Sequence, residues 1–356
     1  MPDPGDTLPF STTATPTRTA QLTHLIDGLD LLDQLFQLPA NNEGDGVQLG
    51  PFRIQRRIGA GRYGVVFLAY DPQLRRQVAV KVPQPTVLTD PDQRERFGRE
   101  ARAAARLDHP CIVPVYESGT DRGLVYLATG FIAGTTLADW LATRPATPDP
   151  RTAARLVELL ARAIHHAHER GVLHCDLKPA NVLLDPAGPP EASVPGVGCP
   201  RVADFGMARL LETDPSLTNS ILIAGTPFYM PPEQARGDRK ALTARADIYT
   251  LGVILYEVMC GRVPFSGDSV IGVMHQVLTN DPPSPRTITP SIPRDLETIC
   301  LKCLEKDPQQ RYSTAEALAT DLRSFLDGRP IAARPVGPVE RTRKWARRNP
   351  WAAAAI

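Results

Sequence analysis

The segment His174-Cys175-Asp176-Leu177-Lys178-Pro179-Ala180-Asn181 gathers a carboxylate (Asp176), an ammonium (Lys178) and an amide (Asn181) within six positions. That set suits orienting a hydroxyl, holding a phosphate and binding a divalent metal. Downstream, Asp204-Phe205-Gly206 supplies another carboxylate at the end of the short strand RVAD. Asp204 and Asn181 are hard oxygen ligands of the kind Mg²⁺ takes. His165, His166 and His168 lie near Cys175, but imidazole does not suit that ion, and packing along a helix accounts for them.

Two further features handle phosphate. Gly59-Ala60-Gly61-Arg62-Tyr63-Gly64-Val65-Val66 places three glycines between two strands, where main chain can approach phosphate oxygens without Cβ interference. A β-branched strand follows the last glycine where a dinucleotide fingerprint needs a helix, which disfavours NAD. The next strand, Val78-Ala79-Val80-Lys81, sets a lysine among apolar neighbours, and a buried ammonium requires a partner. Only six of the 40 basic residues are lysine, yet lysine stands at both 81 and 178, which argues that a compact point charge is wanted there. The acids on the following helix are Glu95 and Glu100. Phe97, Ala101 and Ala104 define its inward stripe, and Glu100 lies on that stripe while Glu95 points away.

The elements that must carry these groups fall into two halves. Phe52 to Val82 reads as an antiparallel meander of FRIQRRI, GVVFLAY and QVAVKV, broken by Gly-rich and Asp-Pro turns. A helix over 90–107 and the strand LVYLATGFI complete a small β-rich half. Beyond a hinge at Gly130 to Gly134 the pattern is mostly helical, with proline-free stretches at 151–178, 241–263, 294–307 and 309–329. Upstream, a Pro- and Thr-rich leader precedes Leu22, Leu25, Ile26, Leu29, Leu32 and Leu35 at helical spacing.

Composition narrows the classes. With 40 basic and 39 acidic side chains and a net charge of +1, the chain lacks the cationic excess of a nucleic-acid binder. The 36 prolines would fit a low-complexity chain, but 42% hydrophobic residues argue for a folded one. Six scattered cysteines and no basic-then-apolar leader read as cytosolic and reduced. Cys300 and Cys303 resemble half a zinc site, but no second ligand pair lies nearby and the run LETICLKCLEK reads as a buried helix.

Together the segments resemble the Hanks-type serine/threonine protein kinases, the bacterial members in particular, from about Phe52 to Arg329. The resemblance implies an α+β, two-lobed fold: a small antiparallel β-rich N-lobe with one helix (52–131) and a larger α-helical C-lobe (132–329). Residues 1–50 form a leader and 330–356 a basic, Pro-rich tail. It implies transfer of the ATP γ-phosphoryl group to Ser or Thr hydroxyls of proteins in bacterial signalling, with Mg²⁺ or alternatively Mn²⁺. Asp176 becomes the catalytic base, Lys178 steadies the transferred group, and Asn181 and Asp204 hold metal. Ile58, Gly59, Gly61, Gly64, Val66, Ala79, Lys81, Glu100, Thr129, Phe131 and Ile132 surround the nucleotide, with Thr129 as gatekeeper, Gly130 to Ile132 as hinge, and Lys81 paired to Glu100. Thr226 is expected to bridge Asp176 and Lys178, Glu233 to pair with Arg311, and Asp247 to brace the catalytic loop through backbone amides.

One residue departs from the pattern. Cys175 stands where many kinases have the arginine that holds a phosphorylated activation loop, so activity is expected to depend little on phosphorylation of Thr213, Ser216, Thr218 and Ser220. The partners implied are protein substrates with Ser or Thr, including a second copy of the chain through autophosphorylation in trans; the competing readings are a pseudokinase scaffold and a small-molecule kinase. The insert 186–200 reads as a surface loop without chemistry. The tail, with Arg341, Arg343, Lys344, Arg347 and Arg348 leading into WAAAAI, reads as the cytoplasmic flank of a membrane-spanning helix that continues beyond it, against the alternative of an ordinary solvated tail.

Overall fold

The computed structural model describes Leu31, Leu35 and residues 47–61, 64–83, 91–144, 148–205, 227–238 and 242–333. Six antiparallel strands form the N-terminal sheet: β1 (Gln48–Leu49), β2 (Phe52–Gly61), β3 (Gly64–Asp71), β4 (Arg76–Val82), β5 (Val115–Asp121) and β6 (Leu124–Gly130), in the order β1-β2-β3-β4-β6-β5. Val66 stands opposite Lys81, and Ala79 opposite Thr129. Directly opposed residues share a face, and alternation along β3 and β4 puts Val66, Ala79, Lys81 and Thr129 on one side. Val65, Phe67, Val78, Val80 and Val82 occupy the other side and are buried. Against this sheet lies helix α1 (Pro91–Ala104), whose Phe97 and Ala101 enter the same core.

Past Gly130 a second, three-stranded sheet forms from β7 (Thr135–Thr136), β8 (Val182–Asp185) and β9 (Cys199–Val202). The helices follow in chain order: α2 (Leu137–Thr143), α3 (Pro150–Glu169), α4 (Pro232–Ala235), α5 (Ala244–Cys260), α6 (Val270–Thr279), α7 (Pro285–Ile288), α8 (Arg294–Cys303) and α9 (Ala315–Leu326). Helix α3 begins with Pro150 in its first turn, where a missing N–H costs nothing. Helix α5 is apolar on nearly every side and runs through the middle of the larger core, as a helix without a polar face must. Thr243 caps its start and Gly261, at φ +73°, closes its end.

Two segments extend this picture beyond the sequence reading. The insert 186–200 runs over the surface, with Pro186, Ala187, Pro190, Glu191, Pro195 and Gly196 exposed, but it is pinned there: Ala192 and Val194 are buried in the larger core, a short bridge joins Val194 to Gly198, and Arg155 donates to the Glu191 carbonyl. Two small apolar side chains between proline-directed turns suffice to pin it down. At the other end, the carboxylate of Asp321 accepts the N–H groups of Ala332 (2.7 Å) and Ala333 (2.9 Å) and the Tyr312 hydroxyl (2.8 Å), so the packed chain continues to Ala333. Residues 206–226 of the activation segment, the tail after 333 and the leader lie outside the described residues, apart from Leu31, Leu35 and residues 47–50.

Candidate active site

The loop between α3 and β8 is held from beneath by one carboxylate. Asp247, in the first turn of α5, accepts the N–H of His174 through Oδ2 and that of Cys175 through Oδ1, both at 2.9 Å. Its Oδ2 also meets His168 Nε2 at 2.7 Å. Burial opposes ionisation of Asp247, but these donors override it and hold its carboxyl below the ordinary range. Braced this way, Cys175 takes a φ of +63°, a left-handed conformation a cysteine rarely adopts. His174 links the loop to the strand beyond: its Nδ1 accepts the Asp176 N–H at 3.3 Å and its Nε2 meets the Ala203 carbonyl at 3.0 Å. The resulting Nε2–H tautomer ties the two carboxylate-bearing segments together.

On this platform Asp176 Oδ2 lies 2.7 Å from Lys178 Nζ, and Asn181 Nδ2 donates to the Asp176 carbonyl at 2.8 Å. With its NH₂ thus engaged, Asn181 keeps its amide oxygen for another partner. Asp204 adopts φ +64°, and its Oδ1 pairs with Lys81 Nζ at 2.8 Å. Desolvation pushes the Asp204 carboxyl up, and the Lys81 ammonium more than reverses the effect, so it is held low and ionised. The Asp204 carboxylate and the Asn181 amide oxygen, with Lys81 and Lys178 paired to Asp204 and Asp176, are a donor set whose chemistry fits a hard divalent cation and phosphate oxygens.

Lys81 itself is buried, as its apolar strand implied, and the ion pair described for it is with Asp204. Glu100 is half-buried on α1 beside the buried Phe97 and Ala101, whereas Glu95 is exposed and reaches Arg99 at 3.9 Å. The inward stripe therefore runs as expected. Val66 and Ala79 are half-buried on the Lys81 face of the sheet, Thr129 Oγ1 donates to the Ala79 carbonyl at 3.4 Å, and Ile58 on β2 is exposed. Phe131 and Ile132 follow β6 and are half-buried. Among the glycines, Gly64 has φ +132°, and a Cβ there would fall 2.0 Å from the Val82 carbonyl oxygen; at Gly59 a Cβ would meet only ordinary contact at 3.8 Å. Of these two positions, the demand for glycine is the sharper at Gly64.

Below the site, Glu233 and Arg311 form a buried two-pronged pair, Nη1 to Oε1 at 2.7 Å and Nη2 to Oε2 at 2.8 Å. Arg311 also donates to the carbonyls of Glu305 and Arg245, each at 2.8 Å. Gln234, next to Glu233, donates to the Cys175 carbonyl at 3.4 Å. Thr226, expected to bridge Asp176 and Lys178, and Gly206 lie outside the described residues. Cys300 and Cys303 are buried in α8, and no group of three or more His, Cys, Asp and Glu side chains placed to hold a metal occurs among the described residues. Sequence reasoning did not anticipate His168 as a partner of Asp247, nor Tyr229, whose hydroxyl donates to Glu257 Oε2 at 2.8 Å. The spacing H-x₅-H between His168 and His174 was the available signal for the first.

A two-lobed body with a lysine on the third long strand, a carboxylate-lysine-amide loop and a left-handed aspartate beside it defines a phosphotransferase of the protein kinase kind. The chain belongs to the protein kinase domain family, whose model matches residues 52–322. Its similarities point to the bacterial serine/threonine kinases. It is 37% identical over 279 residues to serine/threonine-protein kinase PrkC of Bacillus subtilis, covering 78% of this chain and 41% of that protein. It is 38% identical over 284 residues to serine/threonine-protein kinase PknB of Mycobacterium tuberculosis, covering 78% and 43%. The crystal structure of the M. tuberculosis PknI kinase domain superposes with a TM-score of 0.63 at 26% identity, covering 80% of this chain and 99% of that one. The chain thus spans about two-fifths of the length of the curated relatives. Family membership carries with it the use of ATP and a divalent metal ion.

Proposed function

We propose that this chain transfers the γ-phosphoryl group of ATP to Ser or Thr hydroxyls of proteins, with Mg²⁺ as the working metal. The observation that carries the reading is the Asp176–Lys178–Asn181 cluster, with its 2.7 Å ion pair, on a loop braced by Asp247. Asp176 accepts the hydroxyl proton as the oxygen attacks phosphorus, and Lys178 steadies the oxygens of the transferred group. Lys81 binds the nucleotide phosphates, with Glu100 as a second carboxylate to hold it when Asp204 turns to metal. Ile58, Val66, Ala79 and Thr129 line the adenine side, and the main chain of Gly130 to Ile132 reads the base. Asn181 and Asp204 would hold the metal through their oxygens, and the chemistry it would supply is neutralisation of phosphate charge.

Lys81→Met and Asp176→Asn test the assignment. Each is expected to abolish phosphorylation of itself and of a casein-like protein while the thermal transition survives. Turnover retained in both would overturn the reading, and stabilisation of the parent chain by Mg-ATP without turnover would make it a nucleotide-binding scaffold.

We further propose that the kinase domain works at the cytoplasmic face of a membrane, with the basic stretch Arg341 to Arg348 lying against anionic lipid. No helix among the described residues is long and apolar enough to cross a membrane. Support comes from the charge pattern of the tail and from the way Asp321 fixes the chain just before it. Co-sedimentation with phosphatidylserine vesicles that vanishes when the five basic residues become Gln is the expected result; binding that persists would overturn it.

A further inference from the structure

Four side chains grip the main chain around Asp176. Asp247 Oδ1 accepts the N–H of Cys175 at 2.9 Å, His174 Nδ1 accepts the N–H of Asp176 at 3.3 Å, and Asn181 Nδ2 donates to the Asp176 carbonyl at 2.8 Å. The fourth is Gln234, whose Nε2 donates to the Cys175 carbonyl at 3.4 Å. The first three belong to the loop itself or to α5 beneath it. Gln234 comes from α4, 59 positions beyond Cys175.

These contacts single out the peptide unit that joins Cys175 to Asp176. Being planar, it turns only as a whole, about the bonds that flank it. Its two polar groups are the handles on that turn: His174 holds the N–H and Gln234 holds the C=O. The turn of the unit sets the direction in which the Cα–Cβ bond of Asp176 leaves the chain, and hence the seat of the carboxylate beside Lys178 Nζ, 2.7 Å away. Cys175, at φ +63°, already holds a conformation that its surroundings must impose, and it is gripped at both its N–H and its C=O.

Gln234 can serve as a handle because α4 is itself fixed. Pro231, Pro232, Glu233 and Ala235 are buried, and Arg311 clamps Glu233 through two bonds of 2.7 and 2.8 Å. The N–H groups of Ala235 and Arg236 close the turn on the carbonyls of Pro231 and Pro232, each at 3.0 Å. Gln234 is the half-buried member of this run and reaches across to the loop.

We infer that Gln234 is a positioning residue for phosphoryl transfer: its amide holds the Cys175–Asp176 peptide, and through that peptide it aims the Asp176 carboxylate at the substrate hydroxyl. The inference rests on the kinase reading above and adds to it a residue that acts through its neighbour. It makes α4 part of the support of the catalytic loop, so that the Glu233–Arg311 anchor is felt at the base.

Two variants test it. Gln234→Met keeps nearly the same length and volume but loses the donor; Gln234→Glu keeps the shape and turns an acceptor toward the carbonyl. In the Met chain kcat is expected to fall about tenfold, the worth of one hydrogen bond to a buried carbonyl, and in the Glu chain further. KM for ATP, set at Lys81, should stay nearly constant, and the thermal transition nearly unmoved. A kcat equal to the parent's in both variants would overturn the inference. So would a loss of Tm matching that of Glu233→Gln, because Gln234 would then be a structural residue alone. Hydrogen exchange read amide by amide needs no turnover: exchange at Asp176 is expected to quicken several-fold in the Met chain while the amides of α5 stay as they were. Unchanged exchange at Asp176 would by itself overturn the inference. A parent chain that phosphorylates nothing would refute the kinase reading instead, and exchange at Asp176 would still decide whether Gln234 holds this peptide.

Discussion

Asp247 Oδ1 accepts the N–H of Cys175 at 2.9 Å and so holds in a left-handed conformation the residue that directly precedes Asp176. Such a conformation costs on the order of 1–3 kcal/mol and persists only where its surroundings impose it. Asp247→Ala removes both backbone acceptors at once and frees the loop to relax. Asp247→Asn keeps one acceptor but turns an NH₂ toward the other N–H. Both variants are expected to lose about 100-fold in kcat, since a displacement of about 1 Å in a reacting group has that effect. Nucleotide affinity, set across the cleft at Lys81, should change little. Steady-state kinetics together with an ADP titration checks the split; a parallel loss of affinity would show that the brace acts on the whole cleft.

The pair Glu233–Arg311 calls for a different expectation. The guanidinium is fully buried and serves two carboxylate oxygens and the carbonyls of Glu305 and Arg245 in one plane, an arrangement a single ammonium cannot reproduce. Removing one member leaves a buried charge uncompensated, which costs about 3–5 kcal/mol. Arg311→Met and Glu233→Gln are each expected to lower Tm by about 10 °C for a domain of this size. Arg311→Lys should recover only part of the loss. Thermal melts of the three variants and the Glu233→Gln/Arg311→Met double variant decide it: the double variant should be less destabilised than the sum of the singles.

The chemistry-bearing motifs were legible because they are short. Acid, cation and amide must sit within a few residues to meet one hydroxyl and one phosphate, so HCDLKPAN and DFG carry their meaning locally, and the inward stripe of α1 singled out Glu100 over Glu95 by period alone. Long-range partners were legible only through the family resemblance, as with Glu233 and Arg311, 78 positions apart. What escaped has physical causes. In the leader ahead of residue 47, Leu31 and Leu35 are the described residues and both are buried; the apolar spacing singled out Leu35 but not Leu31, because the face a helix turns inward is decided by what it packs on. The insert 186–200 docks through two small residues that show no period. Asp321 was indistinguishable from a solvated helix acid until the returning chain at Ala332 and Ala333 supplied its donors.

Gly64 offers a test of the glycine-rich hairpin that separates its positions. With φ +132° and the Val82 carbonyl in the place a Cβ would need, Gly64→Ala forces β3 away from the end of β4, the strand that carries Lys81. KM for ATP is expected to rise about tenfold, equivalent to about 1.4 kcal/mol. Gly59→Ala, whose Cβ would meet only Val66 at 3.8 Å, should change it far less. Equal effects would mean that the glycines serve phosphate approach alone and not the local backbone.

His109 gives the pH dependence of the join between the lobes. Its ring lies 5.3 Å from that of His166 on α3, and its Nδ1 accepts the N–H of Cys111 at 3.0 Å. Burial, His166 and the guanidinium groups of Arg162 and Arg170 all disfavour a proton there, while Asp108 favours one, and the balance lowers its pKa to about 4. His166 is held low as well, by desolvation and Arg170 against the opposing Asp108 and Glu169, with His165 adding to the lowering. A base with its pKa depressed on folding binds its proton more readily when unfolded. Its contribution to stability is therefore complete above pH 6.5 and is lost as the pH falls toward 4. His109→Asn keeps an acceptor for Cys111 but cannot titrate. Between pH 6.5 and 4 the parent Tm is expected to fall more steeply than that of His109→Asn, and the two curves should run parallel above that window. Identical slopes throughout would show that His109 has no part in the acid limb.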